Sequence, residues 1–167
     1  MSKLLDKLHI PFPEDDIEWR IQQQGLSKGL PWALVLAYVT NRAIMDRLDD
    51  VVGPENWTND FTESPNGGVL CTLGIRVDKG VWVYKTDGAD NTEIERVKGG
   101  LSNAMKRAGV QWGIGRYLYK LPTTFATFDG GGIKKTRIEG EMHRWSPPKL
   151  TGEFLPPKTK TKDKETK

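Results

Sequence analysis

The chain has 167 residues and a formal charge of +3, with a mass of 18.8 kDa and a pI near 8.9. That length holds one domain with a substantial core and is too short for two ordinary ones. The single cysteine, Cys71, excludes an intrachain disulfide, and the distant His9 and His143 offer no zinc-ligand spacing. No segment approaches the ~20 apolar residues of a membrane span, and the N-terminus MSKLLDKLHIPF lacks a signal-peptide pattern, so the expected location is cytoplasmic.

Pro13 followed by Glu14, Asp15 and Asp16 puts a proline and acids where a helix starts, with Ile17 and Ile21 on one side and Gly25 as a stop. This predicts a short first helix. Residues 30–40, LPWALVLAYVT, are rich in branched and aromatic side chains and read as a buried strand, with helix as the alternative. Thr40 or Asn41 then caps a second helix to about residue 52, with Ile44, Leu48 and Val51 toward the core and Gly53-Pro54 as its end.

Three strands are predicted next, over 57–63, 69–77 and 81–89, separated by the turn signals Pro65-Asn66-Gly67-Gly68 and Asp78-Lys79-Gly80. Cys71, Leu73, Ile75 and Val77 alternate with Thr72, Gly74, Arg76 and Asp78, the pattern of an antiparallel meander covered on one face. A long helix follows from near residue 92. Asp90, Asn91 and Thr92 are good caps, and Thr92 with Glu95 has capping-box spacing. At about 100° per residue, Ile94, Val97, Leu101, Ala104, Met105 and Ala108 share a broad face. Arg96, Gly100, Asn103 and Arg107 share another, flanked by Lys106. Gly99 and Gly100 in mid-helix suggest close approach of a phosphate or a neighbouring subunit to the backbone.

Beyond Leu121 the pattern weakens into a glycine run at 130–132 and a charged hairpin. The prolines and lysines of 146–167 lack core-forming residues and predict a disordered tail behind a domain of 1–145. The fold class is therefore α+β: an antiparallel β-β-β-α core, a three-strand meander packed on a long helix, with an additional N-terminal strand and short helices.

No Gly-x-x-x-x-Gly-Lys-Ser/Thr loop is present for ATP, and Gly113-Ile114-Gly115 follows a helix and lacks the third glycine of a dinucleotide fingerprint. The acids Asp46, Asp49, Asp50, Glu55 and Asp60 admit a metal-dependent nuclease, but acids on a helix surface are more often solubilising. No catalytic residue and no cofactor is expected. Nucleic-acid binding needs cations along a backbone and flat side chains for bases. The chain intersperses Lys28, Arg42, Arg96, Lys98, Lys106, Arg107 and Arg116 with Trp19, Trp32, Trp57, Trp82, Tyr84, Trp112 and Tyr117. Most tryptophans in such a domain are core residues; Trp82 and Tyr84, two apart on one strand, are the first choice for stacking. The same charges equally suit a solvated helix face.

Three stretches carry a resemblance: Tyr38-Val39-Thr40-Asn41-Arg42, Val52-Gly53-Pro54-Glu55-Asn56-Trp57, and 99–115 with Asn103-Ala104-Met105-Lys106-Arg107-Ala108. In order and spacing the chain over 14–121 resembles the single-strand DNA annealing proteins of the Rad fifty-two and Rad twenty-two superfamily, especially short phage-encoded recombinases. The resemblance implies a ring or helical filament of like subunits, single-stranded DNA in a groove around the rim, and ATP-independent pairing of complementary strands in recombination and repair. It implies backbone contacts from Lys106 and Arg107 and, ten positions before the strand tyrosine, from Lys28. A single-strand-binding protein is a candidate partner, and for a phage-encoded chain the cytoplasm is the host's. Val110 stands where eukaryotic members carry a further arginine, which Arg96, Lys98 or Arg116 would have to replace. A protective binder that does not pair strands, and a scaffold that binds no DNA, remain the alternatives beside the nuclease.

Overall fold

The computed structural model describes residues 5–65, 67–90 and 96–157, the first three of that last stretch by backbone alone. Among the described residues the architecture is α+β, with two antiparallel sheets, the α-helices 41–52 and 96–111, and a C-terminal hairpin. Strand β1 (Ile17–Ser27) pairs with β2 (Leu30–Val39) through a two-residue turn. Lys28 and Gly29 both have positive φ there, +51° and +78°, the mirror-image turn geometry whose twist suits a hairpin.

The predicted first helix is a strand. Only Glu14–Asp16 forms a helical turn, of the 3-10 type, before β1 begins. Ile17 and Ile21 are four apart, a spacing that helix and strand share, but Trp19 between them is buried with Ile17. Alternation with period two places all three on one side of a strand, where a helix would put Trp19 on the far side.

Helix α1 (Asn41–Val52) starts where expected, with Thr40 Oγ1 accepting from the Ala43 N–H at 3.2 Å. Ile44 and Leu48 are fully buried, and Gly53, at φ +90°, ends it before Pro54. The meander is β3 (Trp57–Glu63), β4 (Val69–Asp78) and β5 (Val81–Ala89), in that spatial order. Cys71, Leu73 and Ile75 are buried on its inner face. Helix α2 (Arg96–Gln111) lies across β4 and β5 and buries Ala104, Met105 and Ala108. Its predicted caps, Asn91, Thr92 and Glu95, and the stripe residue Ile94 lie outside the described residues.

The helix runs past Gly109 and stops two residues later. Trp112 then turns into the core and donates its Nε1–H to the Leu73 carbonyl at 3.1 Å. Gly113, at φ +91°, lets the chain reverse, and a Cβ there would overlap the His9 ring. A 3-10 turn (Arg116–Lys120) leads to the short β6 (Thr124–Phe125), which adds to the β2 edge beside Leu34 and Val35.

The charged hairpin is β7 (Lys134–Ile138) with β8 (Glu141–Trp145). Residues 146–157, read from composition as part of a tail, pack on the core instead. Leu150 is 5% exposed, its N–H reaches Glu14 Oε1 at 3.3 Å, and Phe154 and Leu155 lie against the same cluster. Leu150, Phe154 and Leu155 suffice to seat a segment whose average composition is polar. The remainder of the expected tail, 158–167, lies outside the described residues.

Candidate nucleic-acid interface

The outer face of β2 and the exposed flank of α2 draw apart around the contact between Lys106 and Tyr38. Between them lies a groove of about 1030 Å³. Its floor is Asn103, Lys106, Arg107 and Val110 of α2. Leu34, Leu36 and Tyr38 of β2, with Arg20 and Gln22 of β1, form one wall. The ends of β4 and β5 form the other, and 118–124 closes one end. Alternation in the β1–β2 hairpin explains the first wall. Trp19 and Val35 go to the core, so the neighbouring positions Arg20 and Leu36, which are register partners, face outward.

Lys106 is half-buried, with Nζ 4.6 Å from the centre of the Tyr38 ring. Burial lowers its pKa, and repulsion from Arg20 lowers it further against the opposing pull of Glu18. The groove therefore holds a cation under strain, which an anion placed beside it would relieve. Tyr38 donates to Glu18 Oε2 at 2.6 Å. Its own pKa is pushed up to about 12 by burial first, then by that carboxylate, so it stays a neutral phenol.

Arg107 is more open and pairs with Asp87 of β5 through Nε at 2.9 Å. Burial opposes ionisation of Asp87, but hydrogen bonds from the Gly88 N–H, Gln111 and Arg107 outweigh it and hold the carboxyl below its usual range. The pair fixes α2 to β5 and offsets part of the Arg107 charge.

The other candidates lie apart from this pair. Arg116 donates to the Val110 carbonyl at 2.8 Å and to the Gln111 carbonyl at 2.6 Å, closing the C-terminal end of α2 as a cation should. Lys28 sits at the tip of the β1–β2 hairpin, roughly 30 Å of strand from Tyr38. Arg42 is exposed in the first turn of α1 and does not line the groove. Arg96 and Lys98 stand in the first turn of α2, with side chains outside the described residues.

Trp82 and Tyr84 stack on each other, 6.2 Å between centroids, on the outer face of the meander, away from the groove. The Tyr84 ring lies over Gly74, where a Cβ would come within 2.6 Å of it. Among the described residues no three His, Cys, Asp or Glu side chains gather as a metal site. Asp49 instead accepts from Trp57 Nε1 at 2.6 Å, and Glu55 from Asn56 at 3.0 Å.

Arg20 and Gln22 are groove residues that sequence reasoning missed. Their signal was the alternation of 17–21, which a strand reading converts into an outward Arg20. Arg116→Ala is expected to lower stability by about 1 kcal/mol through the lost helix-end contacts. The salt dependence of DNA binding should stay unchanged in that variant; a flatter salt slope would return Arg116 to the interface.

An α+β unit with a cation-floored groove between a long helix and a neighbouring hairpin defines the class. The chain belongs to the Rad52/22 family of double-strand break repair proteins, whose model matches residues 1–129. It is 32% identical over 148 residues to a single-stranded DNA-binding protein DdrA of Deinococcus radiodurans, covering 89% of this chain and 69% of that one. It is 30% identical over 149 residues to the DdrA of Deinococcus deserti, covering 89% and 72%.

Proposed function

We propose that this protein binds single-stranded DNA in the groove and pairs complementary strands without ATP, as an oligomer acting in DNA repair and recombination. It acts as a binding protein, without catalysis. The observation that carries this reading is the convergence of Lys106, Arg107 and Arg20 on one groove. Arg107 is shared with Asp87 and Lys106 lies over the Tyr38 ring, which holds both cations at the groove surface, where they can contact phosphates while base edges remain unread. Contacts of that kind carry no sequence information, which is what a protein pairing arbitrary complements requires. Arg20 supplies the groove cation that Val110 does not.

One subunit with three cations binds weakly at physiological salt. Several subunits along one strand multiply the effect through effective concentration. Assembly is supported by the two edge strands of the meander, β3 and β5, whose outer edges carry no further strand among the described residues, and by the exposed Phe61, Val81 and Val83 along them. The names of the two relatives support single-stranded DNA as the ligand.

The test is annealing of two complementary dye-labelled single strands by purified protein, without ATP, at low and high salt. Pairing faster than the spontaneous rate, weakening with salt, is expected. Tight binding with slowed pairing would make the protein a protective binder, and absence of binding would end the reading.

Asp87 competes with phosphate for Arg107. Asp87→Asn is expected to tighten single-strand binding by about fivefold, the scale of one partly exposed charge contact, in an anisotropy titration. The acid side of the stability profile should change too. The depressed Asp87 pKa means its stabilisation is present at neutral pH and lost as pH falls through the folded-state value, and the variant should lack that loss.

A further inference from the structure

Trp82 and Tyr84 lie away from the groove, and two other rings stand on the sheet face that the groove uses. Along β2, Ala33 and Val35 are buried in the core, whereas Leu34, Leu36 and Tyr38 line the groove. Alternation makes Trp32 the next side chain on that outward face, about 7 Å of strand beyond Leu34. At this end the 118–124 segment has joined the sheet as β6, next to β2. Phe125 is there the register partner of Leu34. Side chains directly across a ladder share a face, so Phe125 widens the same surface.

Both rings are placed to receive a flat ligand. Phe125 is 55% exposed. Trp32 is half-buried, and its register partner is Gly25 of β1. A Cβ at Gly25 would stand 3.3 Å from Trp32 Nε1 and 3.4 Å from two carbons of the ring, so the indole beds into the room that the missing side chain leaves. Gly25 is not among the glycines with positive φ, so the backbone does not call for glycine there and the room is what it contributes. Among the described residues neither ring stacks on another aromatic or carries a cation.

Continuity with the groove selects the occupant. Arg20, the register partner of Leu36, and Lys106 stand at one end of this surface. Lys28 is exposed at the hairpin tip, beyond the other end. Cations at both ends with rings between them match a chain of phosphates that carries flat bases. We infer that Trp32 and Phe125 are base-stacking residues, on which bases of single-stranded DNA lie as the strand runs from the groove along β2 toward the hairpin tip. Stacking uses the π-face that every base has and leaves the pairing edge free, so it serves annealing of any sequence. The inference rests on the groove reading for its ligand.

The test titrates a short oligothymidine, and a base-free sugar-phosphate oligomer of the same length, into the full chain across a salt series. Trp32→Ala with Phe125→Ala should weaken oligothymidine binding on the order of a hundredfold, about tenfold for each stacked base. The salt slope should stay as it was, because no phosphate contact is lost. The base-free oligomer should bind this variant as it binds the native chain. Phe125→Ala alone, at the more exposed ring, should cost about tenfold. Trp32→Phe with Phe125→Tyr keeps both rings and should recover most of the oligothymidine affinity. Equal loss for the two ligands, no loss for either, a flattened salt slope, or no recovery in the ring-keeping variant overturns the inference. A Phe125→Ala variant that no longer assembles in sedimentation would assign the face to a second copy of the chain and overturn it as well. In a parallel arm, base-free oligomer binding that keeps its native salt slope in Lys106→Ala with Arg107→Ala would overturn the groove reading itself, separately from the two rings.

Discussion

Lys106→Ala combined with Arg107→Ala is expected to abolish annealing while leaving assembly intact. Two lost phosphate contacts flatten the single-strand salt slope by about 1.4 and weaken each subunit's binding on the order of 25-fold at 0.1 M salt. Where several subunits hold one strand, the losses multiply along it. The structural cost is smaller. Lys106 gives up its contact with the Tyr38 ring, worth about 0.5–1 kcal/mol at a partly exposed site, and Arg107 gives up a pair that solvent already screens. The exposed apolar residues of the meander edges, Phe61, Val81 and Val83, do not line the groove. Annealing rate and sedimentation together decide the matter: a double variant that no longer assembles would make the pair structural, and one that still anneals would move DNA out of the groove.

Trp112→Ala is expected to produce the largest loss of stability, about 3–5 kcal/mol. The side chain is 5% exposed and fills the space under β4. Its indole N–H donates to the Leu73 carbonyl, and Lys85 lies over its ring with Nζ at 4.5 Å while donating to the Gln111 carbonyl. Truncation leaves a cavity, removes the hydrogen bond to the Leu73 carbonyl and leaves a lysine without its platform at once. At roughly 2–4 °C per kcal/mol for a domain of this size, the melting temperature should fall by about 10 °C. Below that temperature the salt slope of DNA binding should match the native one, because Trp112 does not line the groove. A melting temperature within a degree or two of native would show that the indole is not a core element, and a changed salt slope would tie it to the ligand.

Local signals placed most of the elements. Thr40 capping α1, Gly53-Pro54 ending it, and the turns at 65–68 and 78–80 all act over a few residues, and the strands and helix they bound fall within a residue or so of expectation. The alternation around Cys71 and Leu73 and the stripe through Ala104, Met105 and Ala108 named the two surfaces that meet in the core. The error at 13–25 came from a spacing of four, which satisfies both periods. Only pairing with β2 resolved it. That error carried Arg20 with it, since its outward orientation exists only in a strand.

The candidate cations show the same division more sharply. Sequence by itself determined the class of fold, the long helix with Lys106 and Arg107 on its open flank, and the resemblance that the family match bears out. Which cations share a surface was decided by the tertiary structure alone. Arg116 and Arg107 are nine residues apart on adjoining elements, yet one closes a helix end and the other floors the groove. Arg20 and Lys106 are 86 residues apart and close enough to repel. The physical reason is range: capping, turn chemistry and periodicity are written in neighbouring residues, whereas a groove forms where two separately patterned surfaces draw apart. Nothing in either surface's own sequence records that gap.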